Sequence, residues 1–229
     1  MNFEINGDNM QSLKIDLGEG ESIYADSGKL ISKTANVIMT PRLAGGVMSA
    51  LKREMTGASG FLTEFQPKKG DGFVEIAGVF PGKIFEIDLT PGQEFVAEKY
   101  AFLAAEESVK FGLDVVSMGP GFFGGEGWIL QKFRGPGKVF IHVVGDKIEY
   151  NVDDRTVIEV DPGHVAGFDA TVNYKVRFVD NIRTAMLGGV GLFLATFTGN
   201  GRIITHSESR TKLALEIRAT TPKSGSSAP

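Results

Sequence analysis

The sequence predicts an all-β protein in which three tandem strand-rich repeats pack around a pseudo-threefold axis, as a β-sandwich or double-stranded β-helix arrangement. Alternating apolar and polar side chains recur at 13–17, 85–89 and 148–152, and alternation is the period of a half-buried strand. The chain also holds 30 glycines in 229 residues. That share is well above the usual value of about 7% and indicates turns between many short strands.

Each repeat opens with the alternating strand, whose apolar side chains are expected to point inward. A segment of nearly constant length follows, since Gly20 to Val37, Gly92 to Val109 and Asp154 to Val172 are 17, 17 and 18 positions apart. These spacings place the same turn and strand in each repeat. The side chains expected inside from the opening strands are Leu13, Ile15, Leu17, Phe85, Ile87, Leu89, Ile148, Tyr150 and Val152.

A second strand and a glycine turn close each repeat. The strands at 60–65, 127–133 and 191–197 begin on glycine and end on phenylalanine, and glycine pairs follow at 70 and 72, 135 and 137, and 199 and 201. Three matching features in one order make a chance resemblance between the repeats a poor explanation.

One repeat is too small and too apolar on one face to be stable alone, so the three should share a core. We therefore expect one domain over residues 1–219, with repeats at about 10–80, 81–146 and 147–219. Residues 213–217 match the opening strand of a fourth copy, which would let the repeats close on themselves. Residues 220–229 are small and polar and are expected to form a flexible tail.

Three short motifs also resemble a known family. They are Ala-Phe-Leu-Ala at 101–104, Phe-Phe-Gly-Gly-Glu-Gly at 122–127 and Gly-His-Val-Ala at 163–166, and the chain resembles the altered-inheritance-of-mitochondria proteins, a domain of unknown function. The resemblance implies a fold similar to the subunit of the tryptophan RNA-binding attenuation protein, repeated three times. It supplies no catalytic residues, and it links eukaryotic members to organisation of the mitochondrial inner membrane.

Composition excludes several classes of function. The chain has no cysteine, so disulfides, thiol nucleophiles and thiolate metal sites are absent. A formal charge of −4 gives no overall attraction to nucleic acid. No stretch approaches the roughly 20 apolar residues of a spanning helix, and residues 1–5 show no secretory leader. The sequence therefore predicts a cytoplasmic protein.

The best functional lead is a glycine-rich, apolar excursion between the two halves of every repeat. The excursions cover 43–55, 119–126 and 182–190, and the first has the spacing of a short amphipathic helix. Apolar side chains on such connections suggest a contact surface for a partner, another subunit or a membrane. The predicted contact residues are Leu43, Val47, Leu51, Phe122, Phe123, Met186 and Leu187.

No catalytic, cofactor-binding or metal-binding residue is predicted. Gly119, Gly121 and Gly124 match a dinucleotide fingerprint, but no helix can follow them. His142 and His206 occupy matching positions without a third ligand, so they are expected to be core residues with backbone partners.

The sequence therefore predicts a non-enzymatic, oligomerising binding or scaffold protein, a trimer or a multiple of one. Capping of the core by the excursions is the structural alternative. The functional alternatives are a small-ligand-binding protein or enzyme with a pocket between repeats, contact with a membrane surface, which ranks below self-association, and RNA binding.

Overall fold

The strands follow one order three times along the chain. The structure, a computed structural model, describes residues 1–43, 61–116, 128–178 and 193–220. An N-terminal strand β1 (Asn2–Asn6) precedes the first copy. That copy comprises β2 (Ser12–Leu17), β3 (Ile23–Asp26), β4 (Leu30–Lys33), β5 (Val37–Leu43), β6 (Phe61–Pro67) and β7 (Gly72–Ala77).

The second and third copies repeat these six strands. The second comprises β8 (Gly82–Leu89), β9 (Glu94–Glu98), β10 (Phe102–Glu106), β11 (Lys110–Val116), β12 (Trp128–Arg134) and β13 (Gly137–Val144). The third comprises β14 (Lys147–Val152), β15 (Ile158–Val160), β16 (Val165–Asp169), β17 (Val172–Phe178), β18 (Phe193–Gly199) and β19 (Gly201–His206). The all-β prediction is confirmed, and the two predicted boundaries between repeats, at 80/81 and 146/147, fall between strands.

Neighbouring copies are joined by shared antiparallel sheets. The sheet orders are β1-β2-β7-β4, β5-β6-β3-β10-β13-β8, β11-β12-β9-β16-β19-β14 and β15-β18-β17. The second strand of one copy therefore pairs with the third strand of the next, as β3 does with β10 and β9 with β16. Each of the two six-stranded sheets thus contains half of one copy and half of the following one.

Apolar side chains fill the spaces between successive sheets. Leu13, Phe65 and Phe140 belong to a cluster between the first two sheets, and Trp128 and Phe197 to a cluster between the last two. A third cluster, containing Phe102 and Phe133, lies between the two six-stranded sheets. The valines that end the predicted constant-length segments, Val37, Val109 and Val172, are all buried.

The three copies meet at equivalent backbone positions, which lie at or just before the start of their first strands. Met10 and Gly82 form an isolated parallel bridge, and Gly82 forms a second one with Gly145. The Gly82 N–H donates to Asn9 O at 2.6 Å, and the Gly145 N–H donates to Pro81 O at 3.0 Å. Gly82 is therefore the central link between copies one, two and three.

The prediction that residues 213–217 form an opening strand was wrong. Arg210–Thr220 form an α-helix, α1, which also takes in Thr220, the first residue of the predicted tail. Ser209 precedes the helix, and its carbonyl accepts the Leu213 N–H at 2.9 Å. Leucine, alanine and glutamate are good helix formers, and none of the described strands pairs with this segment. Residues 221–229 lie outside the described residues.

The prediction of inward apolar faces holds for β2 and fails for most of β14. Leu13, Ile15 and Leu17 are buried, as are Ile87, Leu89 and Val152. Ile148 and Tyr150, however, are each 39% exposed, because every residue of β14 before Val152 faces solvent.

Phe85, the remaining inward prediction, is only partly buried against the central cluster, and the Lys147 ammonium lies 5.1 Å from its ring centre. We expect Phe85→Ala to cost about 2 kcal/mol of unfolding free energy, because a fully buried phenylalanine costs about 3–5 kcal/mol. Chemical denaturation beside Val79→Ala, at a residue 73% exposed, measures the difference. A Phe85→Ala loss no larger than that of the control would contradict this packing.

Candidate functional site

The contact residues predicted from the excursions lie outside the described residues, except one. Leu43 ends β5, where its backbone pairs with Phe61. The other predicted contacts are Val47, Leu51, Phe122, Phe123, Met186 and Leu187, and their role stays a prediction. Candidate sites therefore come from the three-copy framework itself, at the places where one copy departs from the others.

The first departure is the outer edge of β14. In the first copy, β1 pairs along the outer edge of the equivalent strand β2. Among the described strands, β14 pairs only with β19 and ends its six-stranded sheet. Its polar face carries an ion pair between Lys147 Nζ and Glu149 Oε2 at 3.0 Å, and its other face carries Ile148 and Tyr150. A free strand edge of this kind is a template for another strand.

The second departure is a groove between the second and third copies, with a volume of about 550 Å³. Its floor is apolar, and Val96, Leu130 and Phe168 are among the buried side chains there. Lys132 on β12 and Lys175 on β17 lie on its rim. This volume lies within the range of small-molecule sites, about 300–1,000 Å³.

A third feature is a set of acidic residues at matching positions of the three copies. Asp26, Glu98 and Asp161 each accept the backbone N–H two residues further on, at 3.0, 2.8 and 2.9 Å. Each carboxylate therefore closes the turn between the second and third strands of its copy. The repeated bond gives these three carboxylates a structural role.

Glu98 lies near a buried lysine from the first copy. The ammonium of Lys29 donates to the carbonyl oxygens of Tyr100, at 2.7 Å, and Phe102, and its Nζ lies 3.8 Å from Asp26 Oδ2. Burial lowers the pKa of Lys29 to about 8 and raises the pKa of Glu98 to about 7. The Lys29 bonds join copy one to copy two through polar groups removed from water.

His142 and His206 are buried, as the sequence analysis expected. The Val144 N–H donates to His206 Nδ1 at 3.0 Å, and a ring nitrogen of His164 lies 2.9 Å from His206 O. Burial, followed by the charge of Lys29, lowers the pKa of His142 to about 4. Burial, followed by the charges of His142 and His164, lowers the pKa of His206 to about 3. Both rings are therefore neutral at pH 7.

Within the described ranges, no group of three histidine, cysteine, aspartate or glutamate side chains is placed to hold a metal ion. The described part of the chain contains no helix long and apolar enough to cross a membrane.

Comparison with known proteins gives the family. The model of the mitochondrial biogenesis AIM24 family matches residues 3–208, which include all three copies. The chain belongs to the AIM24 family. An uncharacterized protein of Streptococcus pyogenes serotype M6 is 26% identical to this AIM24 chain over 220 residues, which cover 93% of this chain and 87% of the relative.

A solved structure has the same fold as this AIM24 chain. It is an X-ray crystal structure of another Streptococcus pyogenes protein, with a TM-score of 0.80 and 23% identity, covering 96% of this chain and 99% of that one. At this identity the likeness establishes the fold alone. The likeness to the tryptophan RNA-binding attenuation protein stays a prediction.

Sequence reasoning missed both the β14 edge and the groove of this AIM24 chain. The repeat alignment placed Ile148 and Tyr150 at positions matching buried residues, but only the sheet order shows that none of the described strands lies outside β14. The signal for the groove was a substitution between copies, since Val96 stands where the first copy has Tyr24.

Proposed function

We propose that this protein is a non-enzymatic scaffold that assembles with copies of itself through the outer edge of β14. The observation that carries the proposal is the exposure of Ile148 and Tyr150 on a strand whose outer backbone edge is unpaired in the described structure. The equivalent side chains of β2 are buried, and a further strand covers its edge.

The sequence of β14 is suited to pairing with a second copy of itself. An antiparallel pair centred on Glu149 places Ile148 of each chain opposite Tyr150 of the other. Aromatic and β-branched residues facing each other across strands contribute about 0.2–1 kcal/mol per pair. The two Glu149 side chains would face each other, and the Lys147 ammonium beside each one offsets their repulsion. The contact is the same on both chains, as in most homodimers.

The exposed apolar face of β14 distinguishes it from β8, which is the first strand of the second copy and ends the other six-stranded sheet. β8 also ends its sheet, but Gly82 and Ile84 at its start already bond to Asn9 and Gln11. Its apolar residues Ile84, Ile87 and Leu89 are buried. Pairing along β8 would therefore add backbone bonds with little new apolar burial. We accordingly place the contact at β14.

A contact through β14 is distinct from the trimer expected from the excursions. The β14 contact joins two chains around a twofold axis, whereas three clustered excursions favour a threefold assembly. The partner type, the trimer and the cytoplasmic location stay predictions, and the measured mass separates a dimer from a trimer.

We expect the double variant Ile148→Lys with Tyr150→Lys to stay monomeric at concentrations where the wild type associates. Charged side chains on an edge strand block strand pairing. The matched control is Ile31→Lys with Val157→Lys, at residues that are 57% and 62% exposed. Light scattering over a range of concentrations measures the masses.

The control should associate as the wild type does. A monomeric wild type, or a β14 variant with the same mass as the wild type, would show that β14 is not the contact between copies. In the second case, vesicle flotation and RNA gel shifts with the wild type test the membrane and RNA alternatives.

A further inference from the structure

We propose that the groove between the second and third copies binds a small amphipathic anion, in which one carboxylate or similar group carries an apolar body. The apolar body would lie on the floor formed by Val96, Leu130 and Phe168. The anionic group would lie at the rim, between Lys132 and Lys175. This site does not depend on the proposed self-association.

The groove is open because the described residues of this junction lack the cover present at the equivalent junction between copies one and two. At that first junction, Tyr24 pairs with Ala105 on one side and with Glu64 on the other. At the second junction, Val96 takes the place of Tyr24 and pairs with Phe168 and Lys132. The Tyr24 hydroxyl donates to Val109 O at 3.0 Å, which fixes its ring in the junction.

An ion pair completes the cover of the first junction. The Arg42 guanidinium lies 4.5 Å from the centre of the Tyr24 ring and pairs with the Glu107 carboxylate. By register, Ala170 occupies the place of Glu107 at the second junction. An alanine cannot form the pair, and Ala170 instead lines the groove.

The charge of the groove selects the class of ligand. Two lysines line it, and none of its described lining residues is acidic. Glu64 stands at the place of Lys132 in the first junction, so the sign of the charge at this one position is reversed between the two junctions. Lys132 Nζ lies 3.7 Å from the nearest carboxylate oxygen, on Glu94, a long pair that leaves its hydrogen atoms available. The uncharged polar groups of the rim belong to Asn173 and Thr198.

Trp128 supplies a reporter for this site. It is the single tryptophan of the chain, and its ring meets the groove-lining Tyr174 edge to face, with centres 5.7 Å apart. Its side chain lies on the same face of β12 as Leu130 and Lys132, because side chains alternate along a strand. The indole Nε1 is buried without a hydrogen-bond partner. A ligand that contacts Tyr174 is expected to change the Trp128 fluorescence.

The first test is a fluorescence titration with decanoate, with decanol and butyrate as matched probes. We expect saturable binding of decanoate, and at least tenfold weaker binding of decanol, which lacks the charge, and of butyrate, which lacks most of the apolar body. Near-ultraviolet circular dichroism must show that the fold persists at saturation. Equal affinity for decanol would overturn the role of the lysines, and absence of any saturable change would overturn the site.

The second test uses variants of the groove. Lys132→Glu with Lys175→Glu is expected to weaken decanoate binding at least tenfold, because two ammonium donors are replaced by carboxylates that repel the anion. Ala170→Phe is expected to abolish binding by filling the groove. The control Lys68→Glu with Lys69→Glu makes the same charge change at the turn after β6 and should bind like the wild type. Unchanged binding in both groove variants would place decanoate elsewhere.

Discussion

Gly82→Ala is expected to destabilise the protein by more than about 4 kcal/mol, beyond the 1–3 kcal/mol of ordinary overpacking. An added Cβ would lie 1.8 Å from Val143 O and 2.7 Å from His142 Nε2. The carbonyl belongs to a paired strand, and Gly82 itself is bonded to Asn9, so neither side can move without breaking a link between copies.

Chemical denaturation of Gly82→Ala beside Gly112→Ala tests this expectation. Gly112 lies in β11, and an added Cβ there would meet its nearest atom, Lys132 O, only at 3.8 Å. We expect the control to unfold within about 0.5 kcal/mol of the wild type, the usual range for surface changes. A Gly82→Ala protein as stable as this control would show that the junction of the copies is loosely packed.

Acidification from pH 7 to pH 4 is expected to remove about 3 kcal/mol of stability through each of His142 and His206. Their folded pKa values, about 4 and about 3, lie below the ordinary value of 6.5. Between the unfolded and folded pKa values, the histidines of the unfolded chain bind protons while those of the folded chain stay neutral, so stability falls as pH falls. Glu98 acts in the opposite direction, because its folded pKa of about 7 lies above its ordinary value of 4.5.

Two variants separate these opposing contributions to acid sensitivity. His206→Asn keeps an acceptor for the Val144 N–H and should reduce the loss between pH 7 and pH 4 by about 3 kcal/mol. Glu98→Gln removes the compensating carboxyl and should enlarge that loss by a similar amount. Denaturant unfolding at both pH values measures the differences. Equal losses in the wild type and both variants would show that these groups do not control the response to acid.

Local patterns predicted the repeated strands because alternation and turn glycines depend on neighbouring residues. Leu13 and Ile15 are buried because their strand has a sheet on its inner face and a strand on its outer edge. Ile148 and Tyr150 carry the same alternation, yet each is 39% exposed, because no described element covers their face of β14. No local pattern encodes that difference.

The candidate sites depend on pairs of residues from different copies. Lys132 and Lys175 come from different copies, and only the sheet register shows that Val96 replaces Tyr24. The helix at 210–220 was missed for a related reason. Its short run of leucine, alanine and isoleucine suits a strand or a helix, and the local pattern does not decide between them.

The sharing of sheets between copies has a consequence for synthesis on the ribosome. Tyr24 of β3 pairs with Ala105 of β10, so the edge of β3 waits for a strand translated some 80 residues later. At about 5–20 residues per second this delay lasts roughly 4 to 16 seconds. During that time the nascent first copy has an unpaired strand edge. Beside it lie side chains that are buried in the folded protein, such as Ile23 and Ala25. An unpaired strand edge can pair with other chains, so the emerging chain is exposed to wrong pairing until the second copy has been made.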